Sequence, residues 1–274
     1  MLCLAFAFLK HAVESLGLRV ESERQKPALL CFRPLIPGFA LGLDCLFLSL
    51  NPQPSPSTDL MRVLVTAGPT REALDPVRYL TNRSSGKMGY AMADAFARAG
   101  HQVLLVSGPT VLEVPDGVDF LPVESAAEMF DAVKRHIGRM DAAVFAAAVA
   151  DYRPVVVSDQ KIKKTGETLT LELVRTPDIL GSVRGEFAFT GALIGFAAET
   201  ENLLENARAK LARKGCDLVI ANDVSKPGIG FDSDRNEVLL VFPEHVEALP
   251  EDEKHHLAPT IVREIERLVA ERPQ

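Results

Sequence analysis

The chain has 274 residues, of which 47% are apolar and 24% charged, and it carries a formal net charge of −7. That length accommodates one large domain or two small ones, and the composition is that of a globular protein with a sizeable core. The acidic balance excludes a general nucleic-acid binder, whose affinity rests on Lys and Arg neutralising phosphates. Any phosphate-bearing ligand must therefore be held by a local cluster of donors.

Residues 1–60 differ in character from the rest of the chain. Apolar runs such as Leu41 to Leu50 lead into a breaker-rich stretch with Pro52, Pro54 and Pro56, and three of the four cysteines (Cys3, Cys31, Cys45) fall here. The run from Leu35 to Leu50 is short for a membrane span and contains Pro37 and Asp44. No charged–apolar–small order of a signal peptide opens the chain. The segment is expected to be a non-native or disordered extension, with the working domain at 61–274; a remnant of a fused partner and a targeting segment are the alternatives. Only Cys216 belongs to that domain. Without CxxC or Cys/His spacing zinc is not indicated, and a cytoplasmic location with no membrane association is the simplest expectation.

From Arg62 short apolar strands alternate with helices. Arg62 to Thr66 reads as a buried strand and Gly86 to Ala99 as a helix with small residues on one face and Gly100 as its stop. Gln102 to Val106 and Asp119 to Val123 are the next strands, and Ser125 with Glu128 three residues on reads as a capping box. Ala142 to Ala150 lacks polar alternation, as does a strand covered on both faces. Lys161 to Arg175 reads as a hairpin turning at Thr165–Glu167, a flap projecting from the sheet. Ala192 to Ala198 and Leu218 to Ala221 are further strands, separated by a helix over Asn202 to Lys214. Glu237 to Phe242 is a more exposed strand and His256 to Ala270 a terminal amphipathic helix. The order predicts a doubly wound, mostly parallel, Rossmann-like α/β sheet with helices on both faces and ligands beyond the strands' C-terminal ends.

Several polar groups fall at those ends. Asn82 to Gly89 (NRSSGKMG) opens the first helix, where backbone N–H groups can meet an anion; ordinary capping explains it equally well. It is not a Walker A loop, since Thr81 stands where the first Gly belongs. Asp151 follows the most buried strand and suits a base or a metal, or simply a turn. Lys161, Lys163 and Lys164 are a solvated run unless the flap folds over the strand ends, where they would neutralise a triphosphate. Phe196 to Thr200, with Lys210 and Lys214 one helical turn apart, and Ala221 to Asp223 are further strand-end sites.

Six ordered strings, PVRYLTNRSSGKMG (76–89), AAAVADYRP (146–154), KIKK (161–164), TPDIL (176–180), GFAAET (195–200) and ANDVS (221–225), resemble the bacterial phosphopantothenoylcysteine synthetase family from Met61 to the C-terminus. The resemblance implies a CTP-dependent phosphopantothenate–cysteine ligase of coenzyme A synthesis that forms an acyl-cytidylate, releases pyrophosphate, and then releases CMP as cysteine forms the amide. By the same resemblance Asn82 and Lys161 are catalytic, and Arg78, Asn82 and Ala148 meet 4′-phosphopantothenate. Phe145, Ala146, Ala147, Asp151, Lys161, Pro177, Asp178, Ile179, Leu180, Phe196, Lys210 and Lys214 match the CTP site. Mg2+ is expected with the triphosphate, its protein ligands unassigned. No FMN is expected, because residues 1–60 show none of the motifs of the decarboxylase often fused to this domain. A homodimer is implied, with a separate decarboxylase as a further partner.

Two other classes compete. A nicotinamide-dependent oxidoreductase calls for GxGxxG after the first strand and an acidic residue after the second, where this chain has Ser107 and Gly108. A non-catalytic nucleotide-binding subunit predicts loss of Asn82, Asp151 or Lys161, and all three are present. The ligase reading requires Asn82, Asp151, Lys161 and Phe196 to converge on one cleft.

Overall fold

The runs without polar alternation are the strands of a parallel sheet. Arg62–Ala67 (β1) is followed by a short antiparallel pair, Arg71–Ala73 (β2) and Tyr79–Thr81 (β3). Gln102–Ser107 (β4), Val118–Pro122 (β5), Ala142–Phe145 (β6), Ala192–Glu199 (β9) and Leu218–Asp223 (β10) lie parallel with β1. Between β6 and β9, Tyr152–Pro154 (β7) and Leu173–Arg175 (β8) form a second antiparallel pair. Arg235–Val241 (β11) and Val246–Glu253 (β12) close one edge antiparallel. This is a computed structural model, and it describes residues 60–164, 166–225 and 233–272. The expectations about residues 1–59 lie outside the described residues.

The main sheet runs β12-β11-β10-β9-β6-β1-β4-β5, so the strand order reverses between β1 and β6. Helices Lys87–Arg98 (α1) and Lys254–Ala270 (α5) cover one face, where Met92, Phe96 and Ile261 are fully buried. Ala126–His136 (α2), Ile179–Gly185 (α3) and Leu203–Lys214 (α4) cover the other with Met129, Val183 and Ala207. Each large side chain so buried contributes roughly 1.5–3 kcal/mol. The sheet thus needs apolar residues on both faces, which is why β6 and most of β1 read as unbroken apolar runs. Among the described residues no helix is long and apolar enough to cross a membrane.

Several expectations need correction. The run from Ala142 to Ala150 is a strand only to Phe145. Beyond it the chain leaves the sheet and tracks the turn after β1. The Ala148 N–H donates to the Gly68 carbonyl (2.9 Å) and the Ala150 N–H to Thr70 Oγ1 (2.9 Å). A run of small residues is needed there because two chain segments share the sheet's end. Among the described residues no strand pair spans the hairpin expected over Lys161 to Arg175: β8 pairs with β7 instead. The alternation at Leu169 to Val174 does not mark burial, since Leu169, Leu171, Leu173 and Val174 are all exposed. Ser125 Oγ does accept the Glu128 N–H, but the Glu128 carboxylate takes the N–H of Glu124, so the box closes one residue early. The buried Glu72 carboxylate accepts the Ala126 N–H (2.8 Å), a cap supplied from β2 that local sequence does not reveal. β12 is an additional strand; its acidic sequence with Pro250 suits an edge position alone.

Candidate functional site

The reversal of strand order between β1 and β6 opens a crevice outside their C-terminal ends. A cleft of about 980 Å3 occupies it. Its floor is Thr66 at the end of β1 and Phe145 at the end of β6. Its roof is the first turn of α1, where Gly86 has φ +82 and no described side chain caps the helix. The N–H groups and positive dipole end of that turn face the cleft. α1 approaches β1 closely at Gly89: a Cβ there would lie 2.5 Å from the Ala67 Cβ.

Most of the expected residues meet here. Phe145, Ala146, Ala147 and Ala148 form one wall, continued by Asp151. Pro177, Asp178, Ile179 and Leu180 form the opposite wall, at the start of α3, where Asp178 caps the helix by accepting the Gly181 N–H (2.9 Å). Phe196, Lys210 and Lys214 complete it. The Lys210 ammonium donates to the Phe196 carbonyl (2.5 Å), and burial lowers its pKa from the usual lysine value. Lys214 pairs with Asp178. Burial alone would raise the Asp178 pKa, but the hydrogen bonds from Lys214 and the Gly181 N–H outweigh it and bring the carboxyl below its ordinary value.

Asn82 lies at the edge, its amide donating to the carbonyls of Ala148 and Val149 (3.1 Å each), which belong to the cleft wall. Arg78 and Lys161 do not line the cleft. The Arg78 guanidinium turns instead to the buried Asp75 carboxylate (2.5 Å) and to the Ile162 carbonyl (2.8 Å). Lys161 is exposed, on a segment that this contact holds. Of the four residues expected to converge, Asp151 and Phe196 share the cavity, Asn82 borders it, and Lys161 stands outside.

Ser84 to Gly89 and Asn222, both candidates from the sequence, line the cleft. Asn236 and Lys254 also line it, and the sequence gives no sign of them. Asn236 and Asn222 are both buried, on neighbouring strands, and the Asn222 amide donates to Asn236 Oδ1 (3.4 Å). A buried amide at a strand's edge and a lysine opening a helix carry no local signal; tertiary pairing alone brings them in. In total the lining holds six basic side chains (Lys87, Arg175, Lys210, Arg213, Lys214, Lys254) against two carboxylates. An acidic chain has gathered positive charge at one place. Among the described residues no group of three or more His, Cys, Asp or Glu could hold a metal ion.

Fold and cleft together define a doubly wound α/β domain with a basic cleft at its topological switch point. A family model described as the DNA/pantothenate metabolism flavoprotein C-terminal domain matches residues 59–269, and the chain belongs to that family. The coenzyme A biosynthesis bifunctional protein CoaBC of Vibrio vulnificus is 47% identical over 219 residues, covering 79% of this chain and 54% of that protein. CoaBC of Bacillus subtilis is 48% identical over 208 residues, covering 75% of this chain and 51% of that protein. The chain therefore spans about half the length of the curated relatives it matches. The crystal structure of the C-terminal domain of a CoaBC protein superposes with a TM-score of 0.66 at 42% identity, covering 77% of this chain and 97% of that one.

Proposed function

We propose that this chain is a phosphopantothenate–cysteine ligase acting in coenzyme A synthesis with CTP as co-substrate. The observation that carries the reading is the basic cleft at the switch point of an otherwise acidic chain, walled by the strings that resemble the synthetase family. In the first step a carboxylate oxygen of 4′-phosphopantothenate attacks the α-phosphorus of CTP, and pyrophosphate leaves with its bonding electrons. In the second, the cysteine amine attacks the acyl carbon; CMP departs and the nitrogen loses a proton to give the amide. Neither step needs a dedicated strong base, because the nucleotide supplies the leaving group. The protein's part is orientation and neutralisation of growing negative charge.

In this reading Lys210 and Lys214 meet the nucleotide, with Phe196, Asp151 and the 177–180 turn beside it. Asn82, fixed to the Ala148 and Val149 carbonyls, borders the reacting acyl group, and Ala148 and Arg78 flank the pantothenate side. Lys161 approaches the α-phosphate from the segment outside the cleft. Mg2+ accompanies the triphosphate of the nucleotide substrate. Residues 61–274 form the ligase domain, working in the cytoplasm as a homodimer, and its product is the substrate of a decarboxylase. The exposed Val155, Val156 and Val157 and the apolar residues of β8 are the surface a second copy would cover.

The test is release of pyrophosphate and CMP from CTP, 4′-phosphopantothenate and cysteine by chains beginning at Met1 and at Met61. Equal release from both supports the assignment. No release from either, with NADH rather than CTP raising the melting temperature, would overturn it. Light scattering reports the dimer.

A further inference from the structure

We infer that Asp75 is a positioning residue: with Arg78 it clamps the peptide at Ile162 and so sets where Lys161 stands. The inference rests on the ligase reading for the role of Lys161, and on geometry alone for the clamp.

Asp75 has a fully buried side chain, although it sits in a loop between two three-residue strands. Its two oxygens do separate tasks. Oδ1 accepts the N–H groups of Val77 and Arg78 (2.9 Å each), closing a local turn. Oδ2 accepts Nε and Nη2 of Arg78 (3.0 and 2.5 Å) and, from 87 residues along the chain, the N–H of Ile162 (3.0 Å). Arg78 Nη2 also donates to the Ile162 carbonyl (2.8 Å). Both backbone groups of Ile162 are thereby taken by one ion pair. A second tie, Ser158 N–H to the Leu74 carbonyl (3.0 Å), fixes the approach to the same point.

The clamp fits a need the fold creates. Between β7 and β8 the described residues of 155–172 are mostly exposed. A long loop of this kind carries no core to hold it, and Lys161, Lys163 and Lys164 flank the clamped residue. A lysine of four flexible carbons reaches a given phosphate only if its Cα is held. Misplacement by about 1 Å costs on the order of a hundredfold in rate. The clamp supplies the anchor, and it does so without Asp75 touching a ligand.

Asp75→Asn separates the two tasks. An amide oxygen placed as Oδ1 keeps the turn, while the NH2 group placed as Oδ2 confronts the Ile162 N–H and the guanidinium with donors instead of an acceptor. In the wild type the Ile162 amide is expected to exchange with deuterium slowly for a residue in an exposed loop, and in Asp75→Asn at close to the free-chain rate. In single-turnover assays the variant is expected to lose about ten- to a hundredfold in the step that Lys161→Gln also slows. It should retain nucleotide affinity, and the double variant should be no slower than Lys161→Gln alone, since both act through one group. A merely structural role for Asp75 would add its loss to that of Lys161→Gln. Additive losses, or an unprotected Ile162 amide in the wild type, would overturn the inference. If Asp75→Asn does not fold, protection of the Ile162 amide in the wild type carries the test by itself. Failure of the ligase reading shows separately, as no pyrophosphate release by the wild type, and the exchange measurement then decides the clamp.

Discussion

Replacing Gly89 by Ala sets two effects of opposite sign against each other. Gly89 lies in the first turn of α1 and is buried, without a positive φ. On helix propensity alone Ala gains about 1 kcal/mol. The new Cβ, however, would stand 2.5 Å from the Ala67 Cβ and 3.2 Å from the Thr66 carbonyl oxygen. Carbon atoms rest about 3.5–4.0 Å apart, so helix or strand must retreat by roughly 1 Å. Ala67 is wholly buried in a strand with neighbours on both sides and cannot yield cheaply. Overpacking costs about 1–3 kcal/mol, and a 2.5 Å contact against a fixed strand falls in the upper part of that range, about 2–3 kcal/mol, so the clash wins by about 1–2 kcal/mol. At about 2–4 °C per kcal/mol for a domain of this size, the melting temperature should fall by roughly 2–8 °C. Calorimetry on the whole chain reads this directly. Gly185→Ala is the matched control: it also lies in a helix, but nothing is within 4 Å of its Cβ position. It should gain what propensity offers, about 1 kcal/mol at most, and melt slightly higher. A Gly89→Ala protein that melts at or above wild type would refute the claim that close helix–strand approach shapes the roof of the cleft.

The charges of the site carry further expectations. Lys214→Ala should weaken CTP binding about tenfold or more, the loss of one charged hydrogen bond of about 1.5–3 kcal/mol, as read by calorimetric titration. Its stability should change by less than about 1 kcal/mol because the Asp178 partner is mostly exposed. Burial lowers the Lys210 pKa, so the Lys210 charge disappears at a lower pH than that of an ordinary lysine. CTP affinity should therefore fall as pH rises through that region, and Lys210→Met should abolish this limb. The Arg78 guanidinium, with the N–H groups of Ile162, Val77 and Arg78, holds the Asp75 carboxyl well below the usual carboxylate range. A carboxyl with its folded pKa depressed stabilises the fold above its unfolded pKa of about 4 and loses that contribution as pH falls. Wild type and Asp75→Asn should accordingly differ in urea unfolding at neutral pH and converge in acid. Burial pushes the Cys216 thiol up to about 11, so iodoacetamide should label it only after unfolding, as peptide mass spectrometry would show.

Much of the fold was legible because a strand covered on both faces has to be apolar at every position. Arg62–Ala67, Ala192–Glu199 and Leu218–Asp223 differ from the expected spans by no more than two residues. The same signal overran at Ala142–Ala150. Smallness there serves the crowding of residues 146–150 against 68–70, and a string of alanines looks alike in a strand and in a tight crossing. Alternation at Leu169–Val174 misled for the opposite reason. It is a burial signal only where one face meets a core, and this segment meets none.

Within the site, the strings at strand ends identified themselves, since turns at the C-terminal edge of a parallel sheet are where polar residues succeed apolar ones. Asn236 and Lys254 did not, because β11 and α5 reach the cleft only through the antiparallel edge and the packing of α5 beside α1.

The order of strands and helices, and with it the class of the sheet, was determined by the sequence alone, because hydrophobic periodicity is local and chain connectivity restricts how such elements can wind. Which charges face one another was decided only in three dimensions. The Asp75 carboxylate meets the Ile162 N–H across 87 residues, and Asn222 meets Asn236 across a strand pair. Hydrogen bonds and Coulomb forces act over a few ångströms of space, and distance along the chain does not encode that proximity.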